Sequence, residues 1–432
     1  MKVSGKIIRI MLILMIFISL ILSWKIWTNA GSTEHDQQRN PEKSLVTKQP
    51  KDVFLPVKLV YHSSDGGHYY TNKESLIQSM TKELVSRMKG KITISLGKKY
   101  LEPASKRGSF DMIMSSPISV TYFLKINGVE PDKELKSSVD FHRLVVSLDE
   151  SKLHFLDSDD RQVYQLKLSG EMSELKDMIK AESSRLLPVM NPSSELPVFY
   201  EFKNEIKLKK YSYILATQSY TTFSQAFFDD RQEVISNEEN DESKDVNLMT
   251  ADGGTLTVLY DTGEVKYTGH FDEVMSRSYD TDTIFEDSFF YLKNIGTSMG
   301  TLRYFEGSDN NVTYRNYVEG YPIFSEYSKG RISVSKDNNN VKVLTNQETI
   351  QVPIPSHEEV VLKGTDDTIK ELTTLGITKR DIQDLQIGYR WETNNETRQV
   401  VDLVPDWYIK LDGTWESLTE IGHSVDEKEG GK

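Results

Sequence analysis

Ile10–Leu22 reads IMLILMIFISLIL, an apolar run interrupted only by Ser19. With Ile7, Ile8, Trp24 and Trp27 the apolar span reaches about 20 residues, enough to cross a bilayer as one helix. Arg9 and Lys25 flank the run, where long basic side chains reach the headgroups. Trp24 and Trp27 suit the interfacial aromatic belt. Lys2, Lys6 and Arg9 favour a cytoplasmic N-terminus, which places the remaining chain outside. The competing reading is a cleaved signal peptide, with Thr28-Asn29-Ala30 as the cut site. The two tryptophans and the missing A-x-A motif favour a retained anchor. Within it Ser19 and Ser23 form a small-xxx-small pair, extended at helical spacing by Leu12 and Ile16. Such a stripe lets another membrane helix pack closely, so these four residues are the candidate partner-binding face.

Charge divides the same way. The chain has 432 residues, with 52 basic and 65 acidic side chains. Residues 1–27 hold four of the basic ones and no acid, which leaves a balance of −17 beyond them. That excludes phosphate-backbone binding, which needs clustered Lys and Arg, so no nucleic-acid partner is expected. There is no cysteine, hence no disulfide, thiol chemistry or thiolate metal site. The composition fits a bacterial envelope protein that folds without disulfides.

Residues 1–30 form the cytoplasmic end and anchor, and 31–52, polar with two prolines, read as a juxtamembrane linker. A first outer domain is expected over 53–195, a central one over 196–280, a C-terminal one over 281–420, and a loose polar tail over 421–432. In the first, a helix follows Asn72 as N-cap, with Leu76, Ile77, Met80, Leu84 and Met88 as its apolar stripe. DMIMSSPISVTYFLKI reads as a strand, and 171–185 as a helix. In the centre, TTFSQAFFDD reads as an aromatic helix, 236–245 as a loop, and TLTVLYDTGEVKYTG as a hairpin. Beyond it, 284–295, 366–375 and 379–385 read as helices, and VVDLVPDWYIKL as a strand. Strands and helices do not alternate in a βαβ rhythm. The expected class is α+β, with mostly antiparallel sheets and packed helices. The central and C-terminal units each place an aromatic helix before hairpins, which suggests a shared topology.

Catalytic and metal motifs are sparse. His62 and His68 flank Asp65-Gly66-Gly67; a metal there is one reading, a simple hairpin connection the better one. Ser79-x-x-Lys82, Ser308-Asp309-Asn310 and Lys363-Gly364-Thr365 follow the order of penicillin-recognising enzymes. S-x-x-K recurs at 173–176 and 333–336, however, and the last triplet is K-G-T rather than K-T-G. The acidic run Glu238–Glu242 lacks calcium-loop spacing. These residues point to binding or regulation, with no metal and no cofactor.

Further pieces carry a resemblance. They are the anchor exit Ser23-Trp24-Lys25-Ile26-Trp27-Thr28, Ala226-Phe227-Phe228-Asp229-Asp230 before Asp252-Gly253-Gly254, Tyr317–Phe324 (YVEGYPIF) and Leu403-Val404-Pro405-Asp406-Trp407. In this order and at this length the chain resembles the YycH family, extracytoplasmic regulators of the YycG (WalK) sensor histidine kinase. The resemblance implies three outer domains, the second and third related in fold, and no enzymatic activity. It also implies a complex with the kinase and the sister regulator YycI through membrane helices, with inhibition as the favoured sign. The alternative function is a ligand- or wall-binding receptor that acts without the kinase.

Overall fold

The structure, a computed structural model, describes Met15 and most of 48–430. Outside it lie 1–14, 16–47, 89–91, 96–102, 132–134, 136–138, 158–161, 192–197, 199, 229–233, 237–244, 271–281, 296–300, 338–339, 395–396 and 431–432. Two units result, Met1–Thr47 and Lys48–Lys432. In the first only Met15 is described, as helical and exposed. The second is a mixed α+β unit dominated by sheet.

A nine-stranded antiparallel sheet occupies its first part, in the order Thr93–Ser95, Gln162–Lys167, Lys152–Asp157, Asp140–Ser147, Ser109–Ser119, Lys58–His62, His68–Thr71, Leu187–Met190 and Glu201–Phe202. Alternation sorts its side chains. Leu59, Phe110, Met112, Leu144, Val146 and Phe155 share a core with the helices Glu74–Arg87, Val120–Ile126 and Ser173–Ala181. Val60 and Ile113, one position out of phase, instead join a core with Val318, Tyr321, Ile323 and Trp407 from the later part of the chain. The sheet is therefore buried on both faces.

The second sheet has fourteen strands, running from Val234–Ser236 at one edge through Glu264–His270, Asn340–Asn346, Asn311–Val318 and Asp384–Thr393 to Val400–Leu411, Tyr211–Thr217 and Glu348–Ile354. Its pairings are antiparallel except that Tyr321–Phe324 runs parallel to Asp384–Thr393. The helices Tyr220–Phe227 and Asp282–Asn294 cover one face, with Phe227 stacked on Tyr267 at 4.5 Å.

Phe54 closes the short helix Pro50–Val53 and is wholly buried. Its ring lies 5.0 Å from Tyr122, 5.6 Å from Phe285, 5.3 Å from Tyr304 and 5.8 Å from Tyr314. These partners come from a helix on the first sheet, a helix on the second sheet and two strands of the second. A second junction lies at the turn Glu319-Gly320, where φ is +50° and +77°. Asn72 Nδ2 donates to Glu319 O at 3.0 Å, and a Cβ on Gly320 would stand 2.0 Å from Asn72 O.

Several elements depart from the reading of the sequence. Asn72 does not cap the helix, which starts at Glu74 with Lys73 as N-cap; its amide is committed to Glu319. VTYFLKI is helical because Ser119 Oγ accepts from Tyr122 N and starts a turn. Val120–Leu124 are all buried, so burial carries no helical period to read. Residues 379–383 are not a helix: Asp381 Oδ2 accepts from Thr378 N and Oγ1, and a strand begins at Asp384. The polar tail holds the helix Leu418–Gly430, started by a capping box in which Ser417 N donates to Glu420 Oε2 and Glu420 N to Ser417 Oγ.

Two stability tests follow from these junctions. Phe54→Ala is expected to cost about 3–5 kcal/mol in chemical denaturation, the range for a buried ring lost from a packed core. Gly320→Ala should cost about 2–3 kcal/mol, since it adds a clash to a left-handed backbone. Gly376→Ala, at φ +88° with open space around its Cβ position, should cost only about 1 kcal/mol. Equal losses at the two glycines would remove the role given to the Asn72 contact.

Candidate functional site: a polar cleft between the two sheets

Two irregular strands meet where the sheets face each other. In Ser109–Ser119 the register shifts between Ile113 and Ile118, so Met114–Pro117 stand opposite His142 alone. Pro117 lacks a ladder donor, which suits a bulge. In Thr301–Ser308 the register shifts between Tyr304 and Glu306, which leaves Phe305 as the extra residue. Bulges re-aim side chains and recur beside functional sites. The first bulge is held from the other sheet: Tyr304 Oη donates to Pro117 O at 2.7 Å, and Ser115 Oγ lies 3.3 Å from Tyr317 Oη. The hairpin turn Asp412-Gly413, with φ +47° and +80°, forms a third wall.

These walls border an open cleft of about 480 Å³. Ser115, Ser116, Pro117 and His142 line it from the first sheet. Phe305, Glu306, Gln383, Asp384, Lys410, Gly413 and Trp415 line it from the second. Glu306 and Lys410 form an ion pair. Burial pushes the Asp384 carboxyl up, and the charges of Lys58 and Lys410 and the Leu385 N–H, 2.7 Å from Oδ1, pull it back. Burial pushes the Lys58 ammonium down, and Asp384 opposes that shift. His142 is pushed down to about 4 by burial and by Lys58, against hydrogen bonds to the backbone at Met114 and Ser115. Gln383 Oε1 accepts from Gly413 N at 2.7 Å and braces the hairpin turn. The Trp415 ring lies 5.6 Å from Phe305 and 5.6 Å from Phe324. Lys58 lines not the cleft but a smaller void of about 20 Å³ beside Tyr70, Tyr200 and Tyr321, with Tyr70 and Tyr200 4.6 Å apart. The cleft thus presents paired charges, amides and hydroxyls against an aromatic wall, an arrangement suited to holding a small polar molecule.

A second buried polar group sits elsewhere on the first sheet. His62 Nδ1 lies 2.6 Å from His68 Nδ1, and His62 Nε2 is 3.4 Å from Asp111 Oδ1. Asp111 is paired with Arg143, so its charge is already committed. Among the described residues no three metal-ligating side chains converge, here or elsewhere. The residues that spelled the penicillin-enzyme pattern lie on separate elements. Ser79 bonds Ser75 O within its helix, Ser308–Asn311 is a hairpin turn, and Thr365 accepts from Phe202 N.

The partner-binding stripe Leu12, Ile16, Ser19 and Ser23 lies outside the described residues, as do Arg9, Trp24, Lys25 and Trp27. Among the described residues no helix is long and apolar enough to cross a membrane. The reading of the sequence missed the cleft entirely. Its legible signals were Pro117 inside a strand-like run and Asp412-Gly413 after one. The pairing of Glu306 with Lys410 has no local signature.

The histidines give a signed pH dependence. His62, ordinarily near 6.5, is pushed down to about 4 by burial and by Arg143. Between these values the unfolded chain binds more protons, so stability present above pH 6.5 is lost as the pH falls towards 4. The expected loss from His62 is roughly 2–3 kcal/mol between pH 7 and pH 4. Denaturation midpoints across that range should flatten in His62→Gln; an unchanged slope would refute the assignment.

The comparisons agree with this architecture. The family model "YycH protein, N-terminal domain" matches residues 6–186, and "YycH protein, C-terminal domain" matches 198–424. The Bacillus subtilis (strain 168) protein described as "Two-component system WalR/WalK regulatory protein YycH" is 21% identical over 456 residues, 95% of each chain. The crystal structure of YycH from Bacillus subtilis superposes with a TM-score of 0.68 at 16% identity, over 87% of this chain and 98% of that one. With its two matched models spanning most of its length, the chain belongs to the YycH family.

Proposed function

We propose that this protein is a membrane-anchored regulator of a two-component system, acting outside the cell on an essential cell-wall sensor histidine kinase of the YycG (WalK) kind. The observation that carries the reading is the end-to-end match to the Bacillus subtilis relative, whose description names it a WalR/WalK regulatory protein. In this reading the chain has no enzymatic activity and no cofactor. The N-terminus is cytoplasmic, residues 7–27 span the bilayer, and the outer part comprises three domains, the second and third related. The sister regulator YycI joins the complex, and the favoured sign is inhibition.

Mechanistically, the helix bearing Leu12, Ile16, Ser19 and Ser23 packs beside kinase helices and favours one of their two arrangements. A bias of about 1–3 kcal/mol changes output roughly 5–150-fold, provided that the outer part interacts differently with the two states. The cleft between the sheets favours a second reading, a ligand receptor that acts without the kinase.

Co-purification from native membranes separates the two. The kinase should follow the intact protein and be lost when residues 7–27 are replaced by an unrelated spanning helix. Ser19→Ile with Ser23→Ile should weaken the association. Retention by both replacements would move the interface to the outer domains; a kinase that follows none of the proteins would favour the receptor.

A further inference from the structure

We propose that the cleft beneath the two bulges binds a neutral, hydroxyl-rich ligand, a short saccharide. Its volume, about 480 Å³, lies within the range of small-molecule sites. Neutrality follows from the charges. Glu306 and Lys410, which both line the cleft, form an ion pair. A ligand of either net charge would have to compete with one of these partners and leave the other charge uncompensated in a partly buried site. A hydroxyl asks for no such exchange, because it donates to a carboxylate and accepts from an ammonium or amide at once.

The aromatic wall supplies the other half of the recognition. Trp415, half-buried, lines the cleft, and Phe305, the extra residue of the bulge at Tyr304/Glu306, is buried and backs it at 5.6 Å. An indole beside polar side chains suits the C–H face of a sugar ring, whose rim carries the hydroxyls. Gln383 is braced through its Oε1 by Gly413 N, which orients its amide NH₂ as a further donor at the rim.

The test is saturation-transfer NMR on the full-length protein in phospholipid nanodiscs. The ligands are cellobiose and N,N′-diacetylchitobiose, with glucuronic acid and glucose 6-phosphate as charged comparators. Saturable binding of at least one neutral disaccharide is expected, tighter than that of either charged sugar. Glu306→Gln and Asp384→Asn should each weaken it about tenfold or more, the loss expected for a charge-assisted hydrogen bond. Gln383 is exposed, so Gln383→Ala, which gives up one exposed hydrogen bond to Gly413 N, should weaken binding and still leave a folded protein with a cooperative unfolding transition, which keeps the proposal testable if a buried variant fails to fold. No saturable signal from either neutral disaccharide, preference for a charged sugar, or binding indifferent to all three variants would overturn the assignment. The outcome is independent of kinase co-purification, so either reading can fail alone.

Discussion

Everything in the unit Lys48–Lys432 depends on how the two sheets are held against each other, and the Phe54 ring is the centre of that contact. It touches aromatic residues from a helix on the first sheet, a helix on the second and two strands of the second. Edge-to-face packing of this kind fixes direction as well as distance, since the ring quadrupoles reward only some orientations. Neighbouring hydroxyls extend the contact. Tyr304 reaches Pro117 O, and Tyr314 lies 2.7 Å from Ser288 Oγ. The same rings that fill the core therefore hold the bulge that shapes the cleft.

Buried charge is costly unless it is paired. This part of the fold accepts several ionisable groups at one seam: Glu306 and Lys410 as an ion pair, with Asp384 and a neutral His142 lining the same cleft. Hydrophobic residues of similar size would pack the seam with less desolvation. The polar set is better explained by what the cleft must recognise than by stability.

The sequence made some of this legible. The hairpin at 255–270 was readable because alternation and turn residues agree there. The aromatic helices Tyr220–Phe227 and Asp282–Asn294 were readable because their apolar residues recur at helical spacing. Val120–Ile126 was read as strand because full burial erases periodicity, and only Ser119 marked the change. Asp384 falls in 379–385, which reads as a helix, whereas a strand begins at this residue. In the structure that residue opens the strand Asp384–Thr393 and lines the cleft with Ser115 and His142 of the first sheet, more than two hundred positions away and beyond any local window. The cleft was illegible for the same reason: each wall is a local irregularity, and only the fold sets them side by side.

The strand Val400–Leu411 pairs with Tyr211–Thr217, and Ser212 Oγ reaches Asp402 Oδ1 at 2.6 Å across 190 residues of chain. Tyr321–Phe324 likewise finds its parallel partner only at Ile323↔Tyr389 and Phe324↔Arg390. A chain that emerges N-terminus first therefore holds Tyr211–Thr217 and Tyr321–Phe324 without these partners until its last forty or so residues arrive. Long-range pairing of this kind slows folding and leaves strand edges open to wrong partners meanwhile. The sheet that completes the cleft is closed by the end of the chain, so truncation near the C-terminus removes the cleft's Lys410 and Trp415 along with the strand that ties 211–217 into the fold.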